Sequence, residues 1–213
     1  MNEFINKDIL EYVESNSQLE PTLLKELNRE THLKILNPRM LSGSYQGRIL
    51  SMISKIVKPK RVLEIGTYTG YSALCIAEGL DIKGVIDTID INEELQEIQN
   101  KFFKKSGFAN KINQHIGNAL EVIPKIKRKF DLVFLDADKE NYINYFELVI
   151  DKINTGGILI SDNVLWSGKV VDNKKKDITT KRLIEFNNLI NNDKRIETVI
   201  FPVRDGLSIS RKI

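Results

Sequence analysis

Two short acidic segments carry the residue types of a divalent-metal site with a candidate base beside it: Asp136-Ala137-Asp138-Lys139 and Asp162-Asn163. Each follows an apolar run, FDLVFL and GGILIS, that reads as a strand. Acids at the ends of two parallel strands point into one cleft. Asp136, Asp162 and the Asn163 carbonyl would then offer three hard oxygen ligands, with room for waters and a substrate. Like charges that close repel strongly unless a cation sits between them. A magnesium-type ion is the economical explanation, with manganese or calcium as further candidates. The two histidines, His32 and His115, lack metal-ligand spacing, which argues against zinc. Lys139, three residues beyond Asp136, would lie near the same cleft. Beside a metal and a cationic ligand its pKa would fall, making it a usable base for a substrate hydroxyl. The alternative is a surface lysine paired with Asp138 or Glu140; the metal context favours the base. Trp166 follows directly, either walling a planar aromatic substrate or anchoring its loop on the core.

A second constellation lies earlier in the chain. The run Glu64-Ile65-Gly66-Thr67-Tyr68-Thr69-Gly70-Tyr71-Ser72 ends an apolar strand with two glycines four apart. Glycines there let the backbone turn sharply and approach a ligand closely. A helix start near Ser72 offers free amide groups. Tyr68 stands where a dinucleotide fingerprint needs another glycine, and there is no P-loop lysine. An acid ahead of such a loop, Glu64, suits a ligand with a cationic amino-acid end better than a pyrophosphate. Asp90 ends the next strand-like run, twenty residues past Gly70. A carboxylate at that place can accept both hydroxyls of a ribose, or it can cap the helix that starts near Asn92. Following the glycine loop at this spacing, ribose binding is the preferred reading. Gly117-Asn118-Ala119 closes a third run; small residues there admit a flat adenine ring, and a plain turn fits equally well.

The elements that must position these residues follow from periodicity. Residues 1–60 read as helices, with Ile5, Ile9, Leu10 and Val13 on one face, Pro21 in the first turn of a second helix, and a loop from Leu36 to Gly47. From Arg61 onward, short runs rich in Val, Ile and Leu alternate with longer helical segments. That pattern predicts an α/β chain with a mostly parallel sheet covered by helices on both faces. The closing runs, IETVIFPV and GLSISRKI, have only Arg204 and Asp205 between them, too few for a crossover helix, so they predict an antiparallel hairpin at one edge. No repeat or linker divides the 213 residues, which predicts one domain: a helical cap over 1–60 and a core over 61–213. A single cysteine, Cys75 in ALCIA, excludes an internal disulfide and reads as a buried, inert thiol. No signal peptide and no long apolar run are seen, so the expected location is intracellular and cytoplasmic. The net charge of +3 is spread along the chain. Lysines at 58–61, 101–105, 125–129 and 174–176 could meet RNA phosphates, although solvated faces explain such charges as well.

Taken together, VLEIGTYTGYSALCIA, TIDI, FDLVFLDADKENYINYFE, GGILISDNVLWSGKVVD and DGLSISRKI resemble the metal-dependent O-methyltransferases. That group includes the caffeoyl-CoA and catechol enzymes and small bacterial members. The resemblance spans nearly the whole chain, PRMLSGSYQGRIL included, and its paired DADKxNY and DNxLWxG segments are specific. It implies a Rossmann-like methyltransferase fold, S-adenosylmethionine as donor, a divalent cation, and a small hydroxylated aromatic acceptor. It further implies that Met40 and Ser42 lie against the donor, with Glu64 and Gly66 near its amino-acid end. Ser72 would sit near the donor carboxylate, Asp90 on the ribose and Ala119 near adenine. Asp136, Asp162 and Asn163 match the metal ligands, Asp136 also counting among the donor-binding and catalytic residues, and Lys139 matches the proposed base. Members are commonly homodimers. Ser44-Tyr45 and Ser167 depart from the group's usual wording on the acceptor side, which bears on a CoA-linked acceptor and not on the donor. A hydroxylated uridine in tRNA is the alternative acceptor, and a non-catalytic or redox nucleotide-binding protein the more distant one.

Overall fold

The computed structural model describes residues 5–172 and 176–213. Lys174 and Lys175 of the basic run therefore lie outside the described residues. Three helices precede the first strand: α1 (Lys7–Ser15), α2 (Thr22–Lys34) and α3 (Ser44–Val57). Then come β1 (Arg61–Ile65), α4 (Tyr71–Ala77), β2 (Val85–Asp90), α5 (Gln96–Ser106), β3 (Ile112–Ile116) and α6 (Ala119–Val122). The chain continues through β4 (Phe130–Leu135), α7 (Tyr142–Val149), β5 (Ile153–Asp162), α8 (Ile178–Asn192), β6 (Ile196–Phe201) and β7 (Leu207–Lys212).

Among the described residues, seven strands order β3-β2-β1-β4-β5-β7-β6. The first five are parallel, and β7 enters antiparallel between β5 and β6. Chain direction across the sheet reverses at the β1–β4 junction, so a crevice opens beyond the carboxyl ends of these two strands. One apolar cluster packs α2, α3, α4 and α5 on the sheet through Leu27, Leu50, Leu74, Ile76, Phe102 and Phe134. The other packs α7 and α8 on the opposite face through Leu63, Val133, Phe146, Leu159, Leu183 and Phe186. Strands covered on both faces explain the near-continuous apolar runs in the sequence.

Several boundaries differ from the periodicity. The loop expected to Gly47 ends at Gly43, because the apolar stripe of α3 starts a turn before Ile49 and buries Gln46 and Gly47. The helical segment after β3, α6, is only four residues, followed by a tighter turn that contains Pro124, which has no amide hydrogen to continue it. Strand β5 starts at Ile153, and its register against β4 slips between Phe130 and Leu132. The connection between β6 and β7 spans residues 202–206, so Pro202, Val203 and Gly206 join Arg204 and Asp205 in the turn. Pro21 stands one position ahead of α2, and α1 has no buried residue despite its apolar stripe. Among the described residues, no helix is long and apolar enough to cross a membrane.

Candidate active site

Two glycines shape the loop after β1. Gly66 has φ +102, and a Cβ there would sit 2.0 Å from the Asp136 carbonyl oxygen. Gly70 has φ +88, and a Cβ there would strike the Phe103 ring at 2.6 Å. Both positions need glycine for conformation and for space. Gly66 N–H donates to Ile89 O and Asp136 N–H to Ile65 O, both at 2.9 Å, so the ladder continues past the strand ends and brings the two motifs side by side.

Glu64 is fully buried and accepts from Ser72 Oγ at 2.6 Å and Thr88 Oγ1 at 2.5 Å. Thr88 also meets Thr67 Oγ1. Burial pushes the Glu64 carboxyl up to about 8; the two hydroxyl donors oppose that rise, and Asp136 and Asp90 add to it. A carboxylate in this condition gains from a cationic partner. Asp90 caps its surroundings with both oxygens: Oδ2 accepts from Tyr68 N–H at 2.6 Å and Oδ1 from Asn92 N–H at 2.8 Å. Asn92, in turn, caps the helical turn that leads into α5. Tyr68, set in a left-handed conformation, donates its hydroxyl to the carbonyls of Leu36 and Asn37. The loop is thereby latched to the segment that carries Met40, which is exposed, and Ser42, which is buried. Ala119 is buried at the start of α6, where the Asn118 side chain accepts from Leu120 N–H.

Across the junction, Lys139 Nζ donates to Asp136 Oδ1 at 2.7 Å and lies 5.1 Å from the centre of the Tyr142 ring. Lys139 pairs with neither of the acids next to it. Asp138 instead accepts from Tyr145 Oη and Asn141 Nδ2, and Glu140 from Thr179 Oγ1. Burial works against the Lys139 charge, but Asp136, Tyr142 and Asp162 outweigh it and hold the ammonium above the ordinary lysine range. Within the protein's own field the sign is therefore opposite to the lowered pKa expected beside a metal and a cationic donor.

Asp162 is buried, and its Oδ1 accepts from Asn163 N–H at 2.7 Å. Its Oδ2 accepts from Gln46 Nε2 at 2.5 Å. Burial, then the nearby Asp136 charge, push this carboxyl up to about 6, while Lys139, Gln46 and Arg204 pull it back. Tyr142 Oη donates to the carbonyls of Leu135 and Asp162, tying the ends of β4 and β5 together. Asn163 takes φ +58; its carbonyl accepts from Trp166 N–H, and its side-chain amide makes no hydrogen bond among the described residues. The Trp166 ring packs on the core cluster with its indole N–H buried and unpartnered. Cys75 is buried, and burial pushes its thiol up to about 12, consistent with an inert role.

The sheet thus gathers Glu64, Gly66, Ser72 and Asp90 at the ends of β1 and β2, and Asp136, Lys139, Asp162 and Asn163 at the ends of β4 and β5. Gln46 and Arg204 were not anticipated from the sequence. Among the described residues, no three side chains of His, Cys, Asp and Glu converge as a metal cluster. The acidic pair Asp136 and Asp162 is what the cleft offers, together with amide and carbonyl oxygens.

The O-methyltransferase family model matches residues 14–213. The chain is 37% identical over 220 residues to caffeoyl-CoA O-methyltransferase 1 of Arabidopsis thaliana, covering 97% of this chain and 85% of that protein. It is 39% identical over 206 residues to the caffeoyl-CoA O-methyltransferase of Petroselinum crispum, covering 91% and 85%. The SAH-bound methyltransferase PaMTH1 of Podospora anserina superimposes with a TM-score of 0.89 at 28% identity, over 100% of this chain and 97% of that one. The O-methyltransferase of Bacillus cereus in complex with SAH gives 0.83 at 26% identity, over 97% of each chain. With the parallel sheet, the glycine loop at its switch point and these matches in hand, the chain belongs to the O-methyltransferase family, the S-adenosylmethionine-dependent group that includes the caffeoyl-CoA enzymes.

Proposed function

We propose that the protein methylates a hydroxyl of a small catechol-like or phenolic acceptor, using S-adenosylmethionine and a divalent cation, magnesium in the first place. The observation that carries this reading is the convergence of Asp136 and Asp162 at the ends of adjacent strands, one junction away from the glycine loop. Hard carboxylate oxygens suit such a cation, and the carboxyl of Asp162, pushed up first by burial and then by the Asp136 charge, is one whose ionised form a cation would favour. Asp136, Asp162 and Asn163 would hold the ion, which supplies charge stabilisation for the acceptor oxygen.

On the donor side, Glu64 receives the ammonium end, Ser72 the carboxylate, Asp90 the ribose and Ala119 the adenine, with Met40 and Ser42 covering the donor and Gly66 leaving it room. Lys139 begins as an ammonium held by Asp136. With a second positive charge bound nearby, opposing the hold of Asp136, Lys139 would release that proton to solvent and, as the neutral amine, receive the acceptor's proton. The oxygen–carbon bond forms as the carbon–sulfur bond breaks, and the sulfonium charge disappears with the methyl. Trp166 flanks the acceptor. Positioning and electrostatics supply the acceleration, with no covalent enzyme intermediate.

The test is methyl transfer from labelled S-adenosylmethionine to a simple catechol, first with magnesium and then with excess chelator. Activity that the chelator removes is the expected result. Chelator-resistant transfer would overturn the metal reading. Transfer to bulk tRNA and none to catechols would move the acceptor to a hydroxylated uridine.

A further inference from the structure

Gln46 sits on the first turn of α3, is 1% exposed, and reaches the cleft from 116 residues away in sequence. Its amide is held at both ends. Arg204 Nη1 donates to Gln46 Oε1 at 3.3 Å, and Gln46 Nε2 donates to Asp162 Oδ2 at 2.5 Å. A carboxamide has one accepting and one donating end, so a guanidinium on the oxygen fixes the NH2 toward the carboxylate. Arg204 is itself placed by the β6–β7 turn, where it takes φ +50, and its guanidinium also donates to Leu41 O at 3.5 Å. The next residue, Asp205, accepts from Ser167 N–H, so the same turn grips the segment after β5.

We propose that Arg204 and Gln46 are positioning residues that act in series: Arg204 orients the Gln46 amide, and Gln46 aims the Asp162 carboxylate into the cleft. This rests on the reading of Asp162 as a cation ligand. Asp162 Oδ1 is already turned back to Asn163 N–H. Gln46 therefore decides where the other oxygen points. Two segments far apart in the chain, residues 41–46 and the 202–206 turn, meet through Arg204 on Gln46, whose amide reaches the Asp162 carboxylate. Closing that contact assembles the acceptor half of the cleft.

The experiment is a double-mutant cycle of Gln46→Met and Arg204→Met, read as Mn2+ affinity by calorimetry on the full-length protein, with acceptor KM and kcat alongside. Removing an outer partner of a metal ligand costs about tenfold or more in affinity, the expected effect of Gln46→Met. Arg204→Met removes both the orienting contact and a repelling positive charge. Its effect should differ between the native and Gln46→Met backgrounds by about threefold or more, because the contact exists in only one of them. Arg204→Lys should recover part of the native affinity. An Arg204→Met effect that is identical in both backgrounds overturns the serial arrangement. Unchanged Mn2+ affinity in Gln46→Met, with the native protein binding normally, overturns the positioning role. If the native protein binds no Mn2+, the metal reading itself fails and this inference with it. Thermal melts identify a variant that fails to fold, in which case Gln46→Leu, which also removes the amide, replaces Gln46→Met and should show the same loss.

Discussion

On the β1–β2 side of the cleft, each acid is held by a donor close by in the chain: Glu64 by Ser72, eight residues on, and by Thr88 on the paired strand, and Asp90 by the amides of Tyr68 and Asn92. On the β4–β5 side, Lys139 holds Asp136 from three residues away, but Asp162 depends on Gln46, 116 residues distant, and Gln46 on Arg204, 158 residues distant. The acids of the proposed donor half thus come from one βαβ unit, while Met40, Ser42 and Ala119 reach it from outside that unit. The proposed acceptor half draws its contacts to Asp162 from α3 and from the turn between β6 and β7. The difference teaches where an enzyme of this architecture can vary. A locally built half can be kept intact while the segments that complete the other half change.

The largest effect is expected at the seam. Gly66→Ala places a Cβ against the Asp136 carbonyl at a φ that other residues rarely adopt, which costs on the order of 3 kcal/mol or more. Chemical denaturation should show that loss, and calorimetry should show both halves weakened together. A variant impaired in one half only would break the picture of a shared seam.

Lys139→Met acts on the acceptor half alone. Loss of a positioned base lowers kcat by about 100-fold. Donor affinity should stay within about threefold, as read by S-adenosylhomocysteine calorimetry. A matching fall in donor affinity would erase the boundary between the halves.

Glu64 gives the donor half a pH signature. Its folded-state pKa, about 8, lies above the ordinary 4.5, so the folded protein keeps a proton that the unfolded chain releases. This residue's contribution to stability is therefore fully present below about 4.5 and is lost progressively as pH rises through 8. Denaturation across that range should show a decline on the order of 2 to 4 kcal/mol that Glu64→Gln flattens. A native profile that rises with pH in this window would contradict the burial argument.

How far the sequence reveals this arrangement follows the same division. Alternating apolar runs and helical segments specify a mostly parallel sheet, because each strand is covered on both faces and each crossover is a separate helix. The glycine loop, Asp90 and the acid-bearing strand ends are contiguous motifs, so their types and spacing are visible in one dimension. Gln46 and Arg204 carry no such signal: an amide and a guanidinium gain meaning only when distant segments meet. The start of α3 at Ser44 was hidden because Gly43 and small polar residues read as loop. The turn between β6 and β7 looked shorter because Pro202 and Val203 extend an apolar run without joining the ladder.

The most direct test of the two-half account is paired calorimetry on Asp162→Ala, measuring Mn2+ and S-adenosylhomocysteine affinities on one preparation. The account predicts that Mn2+ binding and cation-dependent turnover disappear while donor affinity stays within about threefold of native, since Asp162 holds no part of the β1–β2 side. Equal loss of both affinities in a folded variant would contradict it.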